Sequence, residues 1–146
     1  MNPDELLADL ARHLGLPRLT LNADGACAVR LADGLDLDLQ VLTVAEEVRW
    51  TLPLGQPDPA HVASLLAQGL LANTTLASTT PRHLAWEAAS QRIVLCQTQS
   101  LPSMSPDTLG QDLDAFVTTC RSLREELQRD GVFQTSNRPN LRDEQT

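Results

Sequence analysis

Between residues 27 and 54 the chain alternates apolar and polar positions with a period of two. The apolar members are Cys27, Val29 and Leu31, then Leu35, Leu37, Leu39 and Val41, then Val48, Trp50, Leu52 and Leu54. Successive side chains of a strand point to opposite faces, so the pattern predicts three consecutive antiparallel strands with one buried face. The turns fix the register. A two-residue turn at Asp33 and Gly34 would set Leu31 against Asp36 and mix the faces. A three-residue loop of Ala32, Asp33 and a left-handed Gly34 instead sets Leu31 against Leu35, Val29 against Leu37 and Cys27 against Leu39. By the same arithmetic the next turn takes four residues, 43–46, and pairs Leu39 with Trp50 and Leu37 with Leu52.

Helical spacing flanks this block. Asn2, Pro3 and Glu5 form an N-terminal capping signature, followed by a stripe of Leu6, Leu7, Leu10, Ala11 and Leu14 that Gly15 ends. Leu19 and Leu21 make a short extended piece, and residues 22–25 a turn. A second helix opens with Asp58 as cap and Pro59. It carries Val62, Leu65, Leu66, Gly69 and Leu70 on one face, widened by Ala63, Ala67 and Leu71, and ends at Asn73. Residues 74–82 read as a polar, mobile loop. Two strands follow at 83–88 and 91–99, the second apolar on both faces through Ile93, Val94, Leu95 and Cys96. A third helix starts at Ser105 and Pro106, repeats Leu109, Leu113, Phe116, Val117, Cys120, Leu123 and Leu127, and ends at Gly131. The order α-β-β-β-α-β-β-α predicts an α+β fold, a twisted antiparallel sheet of about five strands with three flanking helices. Residues 1–130 are expected to form one domain and 131–146 a polar disordered tail.

Composition narrows the function. A chain of 146 residues, 42% hydrophobic, can build one core. With 3% aromatics, no Tyr and a net charge of −8, it lacks the stacking platforms and the positive field that nucleic acids or anionic membranes require. Cys27, Cys96 and Cys120 are odd in number, far apart and set in apolar patterns, as buried thiols of a reducing compartment are. Acidic residues stand where a signal peptide needs basic ones, and no apolar run reaches the roughly 18 residues of a membrane span. A cytoplasmic, soluble protein is expected.

The residues that could carry chemistry have ordinary roles. No phosphate-binding glycine loop, HExxH, CxxC or GxSxG occurs. Asp36 and Asp38 share a strand face and could in principle share a metal, but they are also the outward positions of an alternating strand. His13, His61 and His83 fall in three elements with no second ligand at metal spacing. A nucleophilic Cys96 with His83 as its base requires convergence in space, and burial would raise that thiol's pKa. No catalytic residue, cofactor or metal is expected. What remains is more apolar surface than one small core needs, most of it on the first two helices, and binding a protein partner is its economical use.

The segments LARHLGLPRLTLNADGACAVRLADGLDLDLQV, VRWTLPLG, VASLLAQGLLANT and HLAWEAASQRIVLCQTQSL, in this order across about residues 3–129, resemble the class I chaperones of bacterial type III secretion, the Tir chaperone family. The resemblance implies a cytoplasmic homodimer in a Gram-negative bacterium. It would bind the N-terminal region of a secreted effector in extended form, keeping it soluble and secretion-competent without ATP hydrolysis. Carried onto this chain, effector contacts fall on Leu7, Leu14, Leu16, Leu19, Leu21 and Val29, and dimer contacts on Leu66, Leu70 and Trp86. The competing readings are a dimeric adaptor or regulator that binds a folded partner, and a small enzyme with a cysteine or carboxylate site.

Overall fold

The first helix, α1 (Pro3–Leu14), begins as its residues dictate: the Asn2 side chain accepts the Glu5 N–H at 2.8 Å and the Glu5 carboxylate reaches back to the Asn2 N–H. It ends on Gly15 at φ +71°, where the Gly15 N–H donates to the Arg12 carbonyl and the Leu16 N–H to the Ala11 carbonyl. This left-handed stop folds Leu16 back against the helix it terminates. The structure is a computed structural model and describes residues 1–129. Strands β1 (Ala26–Arg30), β2 (Asp36–Leu42) and β3 (Glu47–Gly55) follow, then α2 (Val62–Thr79), β4 (Arg82–Glu87), β5 (Arg92–Ser100) and α3 (Pro106–Arg129). All strand pairs are antiparallel, in the order β1-β2-β3-β5-β4, which leaves β1 and β4 as the edges.

The turns obey the alternation of faces. Val29 pairs with Leu37 and Cys27 with Leu39. The Leu31 N–H donates to the Leu35 carbonyl, and Gly34 sits at φ +90°, so the loop is the three-residue one. Residues 43–46 form the second turn, and Leu39 pairs with Trp50. That ladder ends at Asp38 and Thr51, one step short of Leu37 and Leu52. The alternating residues of β1 to β3 meet Leu6, Leu10, Leu65, Leu109, Phe116 and Cys120 from the helices in one core. Gly69 lets α2 approach the sheet, since a Cβ there would stand 3.3 Å from Ile93 Cδ1. The other face of the sheet is free of helices among the described residues. Val94 and Cys96 are nonetheless buried on it, at the floor of a concave depression walled by Arg49, Asp38 and Glu87.

The second helix differs from its sequence reading. Asp58 and Pro59 open a single 3₁₀ turn, Pro59–His61, with no side-chain cap, and α2 proper starts at Val62. It does not end at Asn73, and 74–82 is not a mobile loop. The Thr79 and Thr80 hydroxyls donate to the carbonyls of Thr75 and Leu76, so residues that would favour a loop turn their hydrogen bonds back along the helix. Leu76 anchors this last stretch on the core. The expected stop of α3 at Gly131 and the tail at 131–146 lie outside the described residues.

One ion pair ties the first turn of the sheet to α3. Asp33 accepts Nε of Arg121 at 2.7 Å and the Leu35 N–H at 3.2 Å. Burial pushes the Asp33 carboxyl up, but the Arg121 guanidinium and the backbone N–H outweigh it and hold the carboxyl below its ordinary value. A folded-state pKa below the unfolded one stabilises at pH values above the unfolded pKa, about 4, and that contribution fades as pH falls through the folded value. Both groups are substantially solvated, so Asp33→Asn is expected to cost under about 1 kcal/mol at pH 7. Urea denaturation should find the two proteins converging toward pH 2. An equal gap at both pH values would remove the charge from the explanation.

Candidate protein-binding site

Two grooves flank the end of α1. In the first, of about 690 Å³, the helix presents Leu7, Ala8 and Ala11, and the returning chain presents Leu16, Leu19 and Leu21, with Asp4, Arg12 and Arg18 among the polar residues that line it. The returning chain belongs to no strand, so Leu19 and Leu21 are held by their own half-burial against the core. The second groove, of about 520 Å³, lies between Leu14 and Leu16, the Arg30 to Ala32 end of β1, and Leu113 and Val117 of α3. Leu16 belongs to both, placed there by the left-handed turn at Gly15.

Four of the six expected contact residues, Leu7, Leu16, Leu19 and Leu21, therefore converge on one groove, and Leu14 joins Leu16 in the other. Val29 does not join them. It is 6% exposed and faces the helices within the core; Leu7, at 7%, is buried almost as deeply but lines the first groove, whereas Val29 lines neither. The alternation that put it on the buried face of β1 is the reason.

The edge of β1 offers backbone instead. In an antiparallel pair every second residue turns its N–H and C=O away from its partner. The bonds from Leu31 N–H to Leu35 O and from Val41 N–H to Gly25 O assign the odd-numbered residues to β2. Ala26, Ala28 and Arg30 thus face outward. The Asn22 backbone N–H and side-chain Oδ1 occupy the carbonyl and N–H of Ala26, at 2.8 and 3.0 Å. Among the described residues, nothing fills those of Ala28 and Arg30.

The face of α2 turned from the sheet carries Ala63, Ala67, Leu70 and Leu71, with Leu70 and Leu71 exposed by 72% and 73%. The whole 18-residue helix contains no charged side chain. Depletion of charge is the compositional mark of an interface core. Of the expected dimer residues, Leu70 lies on this face, Leu66 is half-buried at its margin, and Trp86 is half-buried on β4 opposite Ile93. Leu71 was absent from that set, although its apolar character on a broad helix face was the available signal.

The candidate chemistry is arranged otherwise. His83 does stand directly opposite Cys96 in the ladder, yet among the described residues the only side-chain partner of the Cys96 thiol is Thr51 Oγ1 at 4.0 Å, and burial raises its pKa. Burial likewise pushes the Cys120 thiol up to about 11. Asp36 is paired with Arg30 at 2.8 Å and Asp38 lies 3.8 Å from Arg92. His13 meets Asp114 at 3.1 Å, and His61 sits at the end of the 3₁₀ turn before α2. Among the described residues no cluster of three or more His, Cys, Asp or Glu could hold a metal ion, and no helix is long and apolar enough to cross a membrane.

A five-stranded antiparallel sheet with helices on one face, two grooves of mixed apolar and polar lining beside the first helix and an uncharged second helix make up this α+β module. The chain belongs to the Tir chaperone (CesT) family, whose profile matches residues 5–124. No curated protein sequence matches it significantly. Its fold is similar to chains in the HopA1–SchA chaperone–effector complex (TM-score 0.68, 19% identity, covering 83% of this chain and 91% of that one). It is similar also to a chain of the ExsC–ExsE complex (TM-score 0.67, 16% identity, 86% and 90%). A third likeness is to the ExoU–SpcU heterodimer of the Pseudomonas aeruginosa type III secretion system (TM-score 0.61, 23% identity, 85% and 96%).

Proposed function

We propose that this protein is a chaperone of type III secretion that captures the N-terminal region of a secreted effector in extended form and keeps it soluble and competent for export. The observation that carries the reading is a continuous path: Leu19, Leu21 and Leu7 in one groove, Leu16 shared, then Leu14 in the second groove, which ends at the outward backbone of Arg30. An extended segment can place alternate apolar side chains in the grooves and pair its main chain with Ala28 and Arg30. The complexes formed by its structural relatives support this reading, and nothing in the mechanism calls for ATP. The protein works in the cytoplasm as a homodimer joined through Leu66, Leu70, Leu71 and Trp86, and two copies of the path raise the avidity for one long partner.

The test is co-expression of the chain with the N-terminal segments of proteins encoded beside it. One of them should become soluble and co-purify, and limited proteolysis should leave a protected extended segment. The free chaperone should scatter light as a particle of about 32 kDa, twice the 15.9 kDa chain. Failure of every neighbouring segment to co-purify overturns the effector reading, and a stable monomer overturns the dimer.

A further inference from the structure

The two edges of the sheet are finished differently. On β1 the block is at the start of the strand, where Asn22 takes both outward groups of Ala26 and leaves those of Ala28 and Arg30 open; on β4 it is at the centre. On β4 the outward residue Leu84 is closed from α2: its N–H donates to Asn73 Oδ1 at 2.6 Å and its carbonyl accepts from Asn73 Nδ2 at 3.0 Å. One turn of chain earlier, the Arg82 N–H donates to Thr80 Oγ1 at 3.1 Å. A primary amide holds one donor and one acceptor side by side, the same pair that a residue of a neighbouring strand presents. Asn73 therefore stands where the next strand would begin, at the middle of β4.

That strand has little else to keep a partner away. Its interior, His83, Leu84, Ala85 and Trp86, contains no Lys, no Pro and no acidic residue, and it shows no bulge against β5. Charges, prolines and bulges are the usual means by which edge strands avoid pairing with another chain. The occupant that fits best is the same strand of a second copy, because antiparallel pairing about Leu84 is self-complementary, as a two-fold contact must be.

We propose that Asn73 is an edge lock: it prevents the β4 strands of two copies from joining into one continuous sheet, so that copies meet through the apolar face of α2 instead. The lock stands on its own hydrogen bonds, whereas its consequence for how copies meet rests on the dimer proposed above. The test keeps them apart. In the full-length protein, hydrogen exchange at the Leu84 amide is compared between the wild type and Asn73→Ala, with particle mass followed by light scattering over a hundredfold range of concentration. Asn73→Ser keeps a polar side chain but lacks the amide that spans both groups of Leu84, and serves as the second variant should Asn73→Ala fold poorly.

In dilute Asn73→Ala the Leu84 amide is expected to exchange at least about 100-fold faster than in the wild type. At high concentration, species larger than the wild type should form and protect it again. Asn73→Ser should change the exchange rate and the mass in the same directions. Unchanged exchange at Leu84 in Asn73→Ala overturns the lock, and so does faster exchange with no change in mass at any concentration. A wild-type mass of one chain overturns the α2 dimer alone and leaves the exchange result to judge the lock.

Discussion

Phe116→Ala is expected to lower the free energy of unfolding by about 3–5 kcal/mol, the range for removing a fully buried aromatic side chain. Phe116 is 1% exposed and is the largest of the fully buried side chains among the described residues. It lies on the face of α3 that also buries Leu113, Val117 and Cys120 in the core. The chain has only two Phe and two Trp, so no other residue of α3 brings comparable bulk to this interface. Leucines and valines around the void cannot close it without shifting a helix, because protein interiors are packed to crystal density. Thermal unfolding should fall by on the order of 10 °C. A loss below about 1 kcal/mol in urea denaturation would place the centre of the core elsewhere.

The second large effect concerns binding. Leu19→Asp, and its combination with Leu16→Asp, should weaken capture of a co-expressed effector segment by at least about 100-fold, since each apolar side chain buried in a groove contributes about 1.5–3 kcal/mol and a carboxylate cannot take its place undesolvated. Leu19 is partly buried against the core in the free protein, so Leu19→Asp should also lower the melting temperature, and capture is compared at a temperature where the variants remain folded. Leu16 also packs behind the Gly15 turn, and the double variant will lose more. Comparison of the two separates binding from folding. If Leu19→Asp captures the segment as well as the wild type does, the groove along α1 is not where the segment lies.

Much of this architecture was legible in the residues because it follows from rules that act locally. The period of two, combined with the requirement that apolar faces stay together, left one admissible length for each of the first two turns. Asn2, Glu5 and Gly15 announce α1 through hydrogen bonds made within a few residues. The end of α2 was hidden for the opposite reason. Asn73, Thr74 and Thr75 carry loop propensities, and what keeps them helical is Leu76 on the core and the Asn73 amide on β4, both tertiary contacts. The site was legible in part: Leu7, Leu16, Leu19 and Leu21 converge, but alternation alone could not separate Val29, whose face is sealed by helices, from leucines that stand at the rim. The strand bounds 83–88 and 91–99 already set His83 opposite Cys96; what they could not show is that the thiol is buried with Thr51 as its side-chain neighbour.

The turn at Gly15 has a consequence for how a partner must be written. Because two backbone hydrogen bonds set where Leu16 stands, the distance between the two grooves is written into the main chain. On the proposed path an extended segment advances about 3.3 Å per residue, so two grooves at a fixed separation would act as a ruler, selecting for the interval between apolar residues more than for which apolar residues those are. Unrelated segments that keep the interval can then share one chaperone, while a single inserted residue in a cognate segment should be more damaging than several conservative replacements.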